Sequence, residues 1–216
     1  MKHTEENNSF IREMEGEFDG VLGEIEAEAY KDQIPSIPRE TARLISVILS
    51  LKKPERILEI GTATGFSACL MSKFLKPGGK ITTIDRYQLM LSQARINFER
   101  MGVSDKIEIL EGDAAEILPA LSGPYDVIFL DAAKGQYSRF LPDILRLLAP
   151  GGVLIADDIF QGGYVAASRF AVPRRQRTIH KRMRAFLWEI CSDPALETSL
   201  VPIGDGIALC HKKEEN

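Results

Sequence analysis

The chain has 216 residues, 44% of them hydrophobic and 27% charged. This composition is typical of a globular protein with room for one α/β core, and it excludes a disordered chain. No run approaches the roughly 20 apolar residues of a membrane span, and the start of the chain lacks the apolar core of a signal peptide. Three widely spaced cysteines favour neither a disulfide framework nor a zinc site, so the predicted location is the reducing cytoplasm, with no membrane partner.

The charge is unevenly distributed around a net value of −4. Acidic residues crowd the stretch from Glu5 to Glu28, which contains Arg12 as its one basic residue. From Ile159 to Trp188 there is no acidic residue at all, but that stretch carries several arginines and lysines. Such a local basic segment in an acidic protein suggests a docking surface for one anionic partner.

The first predicted elements are helices. Residues 9–30 have the pattern of one acidic amphipathic helix, and residues 37–53 predict a second, with Pro38 near its start. We interpret residues 1–52 as an N-terminal helical extension of a single domain that covers residues 1–216. The amphipathic first helix is also compatible with a homodimer.

From residue 56 onward, short apolar strands alternate with helices. Strands are predicted at RILEI, KITTID, KIEILEGD, DVIFLD and GVLIADD, with a helix after each of the first four. Continuous apolar strands joined by helices indicate a parallel sheet that is covered on both faces. Residues 197–213 instead predict a hairpin around Gly204-Asp205-Gly206. The predicted fold is therefore α/β, a doubly wound, mostly parallel seven-stranded sheet with a C-terminal antiparallel hairpin strand.

A glycine-bounded turn, ILEIGTATGFS, follows the first strand. Gly61 and Gly65 would let a ligand approach the backbone beside a helix N-terminus. The turn is neither a phosphate-gripping P-loop nor the dinucleotide pattern, because Ala63 occupies the second glycine position. Asp85, at the end of the second strand, is placed to bind ribose hydroxyls. The pattern favours a nucleoside without a diphosphate, and a plain tight turn is the alternative.

Carboxylates follow two further strands. Asp131 ends the fourth predicted strand, and Asp157 and Asp158 end the fifth. In such sheets ligands bind beyond the carboxyl ends of the strands, so these side chains should meet. Like charges that converge call for a cation, and an all-oxygen ligand set favours Mg²⁺. Lys134 could act as a general base beside that cation, or it could simply form an ion pair with Asp131.

Taken together, these motifs resemble a known family. ILEIGTATGFSA, TTID, GDA, FLDAAKGQY, ADDIFQGG and VPIGDGIAL are similar to the metal- and S-adenosylmethionine-dependent O-methyltransferases of the catechol and caffeoyl-CoA type. The resemblance runs from about residue 35 to residue 212. It implies a class I, Rossmann-like methyltransferase fold with S-adenosylmethionine and Mg²⁺ as cofactors. Within the family, PRRQRTIHKRM followed by PIGDGIA is most similar to bacterial tRNA 5-hydroxyuridine methyltransferases.

The resemblance also implies roles for individual residues. Lys134 would be the catalytic base. The metal would be bound by Asp131, Asp157 and Asp158. The cofactor would be bound by Ile37, Glu59, Gly61, Ser67, Asp85, Asp113, Ala114 and Asp131. One position departs from the family pattern, which often has Asn where Asp158 stands.

The substrate predicted from these roles has two vicinal oxygens. One is methylated while both chelate the metal, as in a catechol or in 5-hydroxyuridine. The basic segment favours tRNA as the partner, with a wobble 5-hydroxyuridine that becomes 5-methoxyuridine. The predicted RNA-binding residues are Arg174, Arg175, Arg177, Lys181 and Arg182. In the same segment Ile179, Met183, Phe186 or Leu187, and Ile190 recur at helical spacing and predict a buried face.

Other readings stay open at this stage. The basic residues could form an ordinary solvated helix face, and the acceptor could be a small phenolic molecule of the catechol or caffeoyl type. A nicotinamide-dependent oxidoreductase is disfavoured by Ala63. A non-catalytic RNA-binding module would bind tRNA whether or not Asp131 is intact.

Overall fold

The structure is a computed structural model that describes the backbone of residues 2–214 and the side chains of residues 6–214. The chain forms two compact units. One contains residues up to 55 together with residues 62–112, and the other contains residues 56–61 together with the chain from residue 113 onward. The prediction of one domain with a helical extension over residues 1–52 stays a prediction.

The elements follow one another as expected for repeated βα units. The helices are α1 (Lys2–Glu15), α2 (Gly20–Lys31), α3 (Arg39–Lys52), α4 (Phe66–Ser72), α5 (Gln88–Arg100), α6 (Ala114–Ile117), α7 (Tyr137–Leu147) and α8 (Arg177–Ser192). The strands are β1 (Arg56–Ile60), β2 (Lys80–Asp85), β3 (Ile107–Glu111), β4 (Tyr125–Leu130), β5 (Leu148–Ala156), β6 (Leu196–Val201) and β7 (Ile207–Lys212). Short 3₁₀ segments lie at Leu118–Ala120, Lys134–Gln136 and Arg174–Gln176.

The strands form one seven-stranded sheet in the order β3-β2-β1-β4-β5-β7-β6. β2 pairs in parallel with β3, and β4 pairs in parallel with both β1 and β5. β7 runs antiparallel to β5 and to β6. The predicted fold class, a mostly parallel sheet with an antiparallel C-terminal hairpin, is therefore confirmed.

The N-terminal helices correct one prediction. Residues 9–30 do not form a single helix, because the chain leaves the helical conformation between α1 and α2. Gly16 and Gly20 have positive φ angles of 66° and 62°, which glycine adopts without the steric cost of a Cβ. The guanidinium of Arg43 donates to the carbonyl oxygens of Glu15 at 3.2 Å and Glu17 at 3.0 Å, so the break is stabilised from α3.

An ion pair between the half-exposed Arg12 and a buried glutamate ties α1 to α3 within the same unit. The side chain of Glu40 is fully buried, and Arg12 donates to its two carboxylate oxygens at 2.6 and 2.7 Å. Nearby, the rings of Phe18 and Phe66 meet edge to face with centroids 5.9 Å apart. The sequence patterns did not predict either contact, since the partners are far apart along the chain.

In the other unit, β4 lies between β1 and β5 and is buried along most of its length, as its continuous apolar sequence predicts. α8 buries His180, Met183, Phe186 and Ile190. The predicted buried position of Ile179 is therefore wrong, because Ile179 is only partly buried and its neighbour His180 faces the core. No helix among the described residues is long and apolar enough to cross a membrane.

Candidate active site

The candidate site lies where β4 and β5 end. The amide of Asp131 donates to the carbonyl oxygen of Ile60 at 2.9 Å, and the amide of Asp157 donates to that of Leu130 at 3.0 Å. These bonds continue the parallel ladders one step beyond the last strand residues. The backbones of both aspartates are therefore fixed by the sheet itself rather than by a mobile loop.

Lys134 draws two of the three predicted metal ligands together. Its Nζ lies 2.7 Å from Oδ1 of Asp131 and 3.1 Å from Oδ2 of Asp158. The 3₁₀ segment Lys134–Gln136 carries this lysine, and its side chain is only 15% exposed. The structure thus brings together Asp131, Asp158 and Lys134, as the placement of carboxylates after neighbouring strands predicted.

Asp157 completes the cluster in a different environment. The residue is 1% exposed, and its Oδ1 has no hydrogen-bond partner. Burial, together with the charges of Asp131 and Asp158, raises the pKa of Asp157 to about 8. This carboxylate is therefore poorly compensated within the chain, although Lys134 is close enough to offset part of the effect.

Lys134 itself is held in its charged form. Burial alone would lower its pKa, but the combined influence of Tyr137, Asp131 and Asp158 outweighs burial and raises the pKa above the usual lysine value. In this structure Lys134 thus forms ion pairs with Asp131 and Asp158. An ion pair with Asp131 was one of the two roles that the sequence left open, the other being a general base. Its role as a base stays a prediction, and that role requires a change in the charge around it.

Tyr137 is a residue of this site that the sequence patterns missed. Its hydroxyl lies 3.2 Å from the carbonyl oxygens of both Leu130 and Asp157, and it accepts a hydrogen bond from Nζ of Lys134 at 3.3 Å. Tyr137 therefore joins the ends of β4 and β5, and its hydrogen bond with Nζ helps to hold Lys134 in position. The spacing of three residues between Lys134 and Tyr137 was the available signal, since it places both on one side of a helical turn.

The hairpin between β6 and β7 holds the segment that follows Asp158. The amide of Gly162 donates to both carboxylate oxygens of Asp205, at 2.7 and 2.8 Å. Amides of Ile159 and Phe160 donate to the carbonyl oxygens of Gly206 and Asp205. Burial raises the pKa of Asp205, and the charge of Asp158 adds to that effect. Asp205 is thus a second residue near the site that was not predicted.

The backbone conformation at Asp158 suits an aspartate or an asparagine. Its φ angle is 56°, in the left-handed region that costs most residues energy. Asn and Asp tolerate this region better than other non-glycine residues. The position therefore selects for these two side chains, and the choice between them decides only the charge.

A divalent cation suits the chemistry of these residues. The donor set consists of oxygens, and the unpartnered buried oxygen of Asp157 is a group that a cation would compensate. Within residues 6–214, however, no three His, Cys, Asp or Glu side chains stand arranged to hold a metal. A cation would therefore compete with Lys134 for Asp131 and Asp158, so the predicted metal ligands stay a prediction.

Gly61 supports the same cluster from the end of β1. Its φ is 109°, and a Cβ at this position would lie 1.9 Å from the carbonyl oxygen of Asp131. From the sequence, glycine at this position is predicted to let a ligand approach the backbone closely. The structure adds that glycine is needed here for close approach of the chain itself.

The unit with α3 to α5 carries the predicted ribose ligand. Oδ2 of Asp85 accepts from the amides of Thr62 and Ala63 at 3.1 and 3.0 Å, and its Oδ1 accepts from those of Arg86 and Tyr87. The carboxylate therefore fixes the turn that begins at Thr62. Gly65, with φ of 81°, precedes α4, and a Cβ there would meet the ring of Phe98 at 2.5 Å.

The remaining predicted cofactor residues are placed as follows. Ile37 and Ser67 are buried within the first unit, and Glu59 is buried within the second. Asp113 accepts from the amide of Ala115 at 2.9 Å and so caps α6, whose first residue is Ala114. Such a cap is an ordinary role for an aspartate at a helix N-terminus, and it leaves the predicted role of Asp113 in cofactor binding untested.

Comparison with known proteins identifies the family. The family model described as "O-methyltransferase" matches residues 13–213. The chain belongs to this O-methyltransferase family. Tricin synthase 2 from Oryza sativa subsp. japonica is 32% identical over 82% of this chain and 63% of that protein. Caffeoyl-CoA O-methyltransferase from Populus kitakamiensis is 30% identical over 82% of this chain and 78% of that protein.

A solved structure agrees with the fold. The O-methyltransferase from Bacillus cereus in complex with SAH has a TM-score of 0.83 at 22% identity, over 95% of this chain and 96% of that one. At this identity the likeness shows the fold alone. The match spans less than two thirds of the length of the tricin synthase. The predicted membership of an O-methyltransferase family is therefore confirmed.

The basic segment of this O-methyltransferase begins before α8. Arg174, Arg175, Lys181 and Arg182 are exposed. Arg177 is partly buried, and its Nε donates to the carbonyl oxygen of Val172 at 3.0 Å. Nη1 of Arg182 lies 3.2 Å from the carbonyl oxygen of Gly135, the residue after Lys134. Of the predicted RNA-binding residues, Arg182 thus lies beside the candidate site, and both Arg177 and Arg182 bond main-chain carbonyls.

Proposed function

We propose that this O-methyltransferase is Mg²⁺-dependent and transfers the methyl group of S-adenosylmethionine to a hydroxyl that has a second oxygen beside it. The observation that carries the proposal is the cluster of three aspartates and one lysine at the ends of β4 and β5. A buried carboxylate with an unpartnered oxygen and a pKa of about 8 destabilises the fold. Groups with such perturbed pKa values cluster at functional sites, so this one supports a functional role.

S-adenosylmethionine supplies an electrophilic methyl group on a sulfonium centre. The acceptor oxygen attacks the methyl carbon, so a C–O bond forms while the C–S bond breaks and the electron pair stays on sulfur. The product SAH is the ligand of the Bacillus cereus protein. The proposed cofactor residues of this chain are Ile37, Glu59, Gly61, Ser67, Asp85, Asp113, Ala114 and Asp131, of which Asp85 would bind the ribose.

Asp131, Asp157 and Asp158 would hold the metal. When bound, Mg²⁺ supplies Lewis acidity that lowers the pKa of an acceptor hydroxyl chelated to it. The chain orients the acceptor through residues whose backbones the β-ladders fix, which limits the loss of alignment. An aspartate at position 158 adds one negative charge relative to asparagine, which favours a cation and disfavours anionic groups close to it.

Lys134 would receive the proton of the acceptor hydroxyl. To do so it must be neutral, and compensation of Asp131 and Asp158 by another cation would weaken two of the three interactions that raise its pKa. Tyr137 then keeps Nζ in place, since its hydroxyl is fixed between two strand ends. We assign Lys134 as the catalytic residue and Tyr137 as a positioning residue.

For the acceptor, we propose 5-hydroxyuridine at the wobble position of tRNA, whose 5-hydroxyl neighbours the 4-carbonyl. The support is the acid-free basic segment next to Gly135, which suits a phosphate backbone. The second candidate is a small catechol- or caffeoyl-type phenol. It is favoured by the names of the two relatives, tricin synthase and caffeoyl-CoA O-methyltransferase.

One experiment separates these acceptors. The protein is incubated with S-adenosylmethionine, Mg²⁺ and either tRNA from cells that lack the modification or catechol, and the products are measured by mass spectrometry. We expect 5-methoxyuridine in the tRNA. Methylation of catechol without methylation of tRNA would overturn the RNA half of the proposal and leave the chemistry standing.

The basic segment is tested with exposed residues only. Replacing Arg174, Arg175 and Lys181 with Gln should weaken tRNA methylation and leave catechol methylation unaffected. Arg177 and Arg182 are kept, because each bonds a main-chain carbonyl. The matched control replaces the exposed Lys31, Lys73 and Lys76 with Gln, which removes the same charge elsewhere. Equal losses in both triple variants would point to net charge and not to this segment.

We further propose a cytoplasmic homodimer. The exposed apolar side chains of Phe10 and Met14 on α1 lie four residues apart, so they share one helix face. Exposed apolar patches of this kind mark contact surfaces. Sedimentation equilibrium of the protein and of a Phe10→Ser, Met14→Ser variant tests this, and an unchanged monomer in both would refute it.

A further inference from the structure

An exposed stripe runs along α8 beside its buried face. Lys181, Arg184, Trp188 and Cys191 recur at intervals of three or four residues, so they share one helix face. Trp188 is 76% exposed, which is unusual for so large an apolar side chain on a monomeric surface. Two cationic side chains, Lys181 and Arg184, therefore lie on the same helix face as the ring of Trp188.

The ring of Trp188 borders a groove beside α8. The groove has a volume of about 290 Å³, at the lower end for small-ligand sites. Its apolar walls include Phe160, Val165 and Leu187, and Arg184 stands at its edge. Nη1 of Arg184 donates to the carbonyl oxygen of Val165 at 3.0 Å, which fixes one wall to the helix. A guanidinium has further donors, so this bond leaves capacity for a phosphate.

The groove adjoins the candidate active site. Phe160 is two residues beyond Asp158, so their Cα atoms are at most ~7 Å apart. The segment between them is held by the β6–β7 hairpin, and a Cβ on Gly206 would lie 2.2 Å from the Phe160 ring. The wall nearest to the site is therefore fixed in place.

We infer that this groove binds an unstacked nucleobase of an RNA substrate, next to the nucleotide that enters the carboxylate site. The inference rests on the proposed function and names how the RNA is read. Proteins that bind single strands combine a positive track with aromatic faces on which bases stack. The stripe on α8 has both parts, and no acidic residue lies between Ile159 and Trp188 to repel a phosphate.

The chain contains its own probes for this inference. Trp188 is the single tryptophan of the sequence, so tryptophan fluorescence reports on this face alone. Cys191 is exposed, whereas Cys69 and Cys210 are buried, so alkylation of the native protein should modify Cys191 selectively. Neither readout depends on turnover.

The test titrates the full chain with a hairpin oligoribonucleotide that has an unpaired anticodon-type loop, and with a fully paired duplex of equal charge. We expect the hairpin to quench Trp188 fluorescence and slow alkylation of Cys191, with a much smaller effect of the duplex. Trp188→Ala should weaken hairpin binding about tenfold, whereas Trp188→Phe keeps an aromatic face and most of the affinity. Tyr30→Ala, which removes another highly exposed ring, should bind as the original protein does.

The outcomes separate this inference from the proposed function. If the hairpin binds without quenching and Trp188→Ala binds equally well, the groove is not the base site and this inference is wrong, whereas the proposed RNA substrate is unaffected. If no RNA binds but catechol is methylated, both the RNA substrate and this inference are overturned. If Trp188→Ala changes the oligomeric state of the protein and leaves RNA binding unchanged, the face is a contact between copies of the chain, and the inference is wrong.

Discussion

Replacement of Asp157 by Asn should stabilise the metal-free protein while it removes activity. Asp157 has a pKa of about 8 in the fold against an ordinary value of 3.8. At pH 7 the carboxyl of Asp157 is ionised in the unfolded chain and mostly protonated in the folded protein. The difference amounts to about 4 kcal/mol of unfolding free energy, as an upper bound. Asparagine has nearly the same shape and no charge, so it should recover part of this energy.

The sign of the pH dependence follows from the direction of the shift. A folded pKa above the unfolded one means that the folded protein binds the proton more tightly. The stabilising proton is fully in place below the unfolded pKa, and its benefit is lost as the pH rises towards 8. The advantage of Asp157→Asn should therefore be large at pH 8, smaller at pH 7, and absent near pH 4.

The assay is urea denaturation in the presence of a chelator, followed by circular dichroism, at each of these pH values. Asp32→Asn is the matched control, because Asp32 is exposed and its substitution should change stability little. Mg²⁺ should then stabilise the original protein and not the Asp157→Asn variant. If the variant is no more stable than the original at pH 8, the reasoning about a poorly compensated buried carboxylate is refuted.

Three further predictions follow from particular contacts. Gly61→Ala should abolish metal binding measured by calorimetry, because its Cβ would lie 1.9 Å from the Asp131 carbonyl; unchanged affinity would contradict this. Arg12→Met should lower the unfolding free energy by about 3 kcal/mol, since it leaves the buried Glu40 unpaired, and a change below about 1 kcal/mol would count against that pair. Mg²⁺ affinity should rise with pH up to about 8, because the metal displaces the Asp157 proton, and a flat profile between pH 6 and 8 would exclude that competition.

The sheet and its acidic rim could be predicted because both leave local patterns. β4 and β5 each end in a continuous apolar run, and Asp131, Asp157 and Asp158 directly follow these runs. Since the carboxyl ends of neighbouring parallel strands share one edge, the clustering of these residues follows from the order of elements.

Features that depend on distant partners could not be predicted in this way. The break between α1 and α2 is stabilised by Arg43, which lies in the next helix. Tyr137 joins the site through its contacts with carbonyl oxygens at the ends of two different strands. Asp205 lies near the site because it accepts from the amide of Gly162, in the segment that follows Asp158. On α8, the period indicated the buried face, but one extra buried residue, His180, depends on packing and not on hydropathy.

The ion pair of Lys134 also required the structure. The sequence allowed either a base or a partner of Asp131, and neighbouring residues alone do not decide between them. Tyr137 and Asp131, together with the second carboxylate contact to Asp158 at 3.1 Å, explain why the pKa of Lys134 is raised while no other cation compensates the carboxylates. The catalytic role of Lys134 is thus tied to the metal, and the two must be tested together.

The most direct test of the central claim is turnover after removal of divalent metal. The protein is stripped with a chelator, dialysed, and assayed with S-adenosylmethionine and either tRNA that lacks the modification or catechol, before and after addition of Mg²⁺. We predict that methylation is lost on stripping and restored by Mg²⁺, and that Asp131→Ala shows no such recovery. Full turnover by the stripped protein would contradict the account.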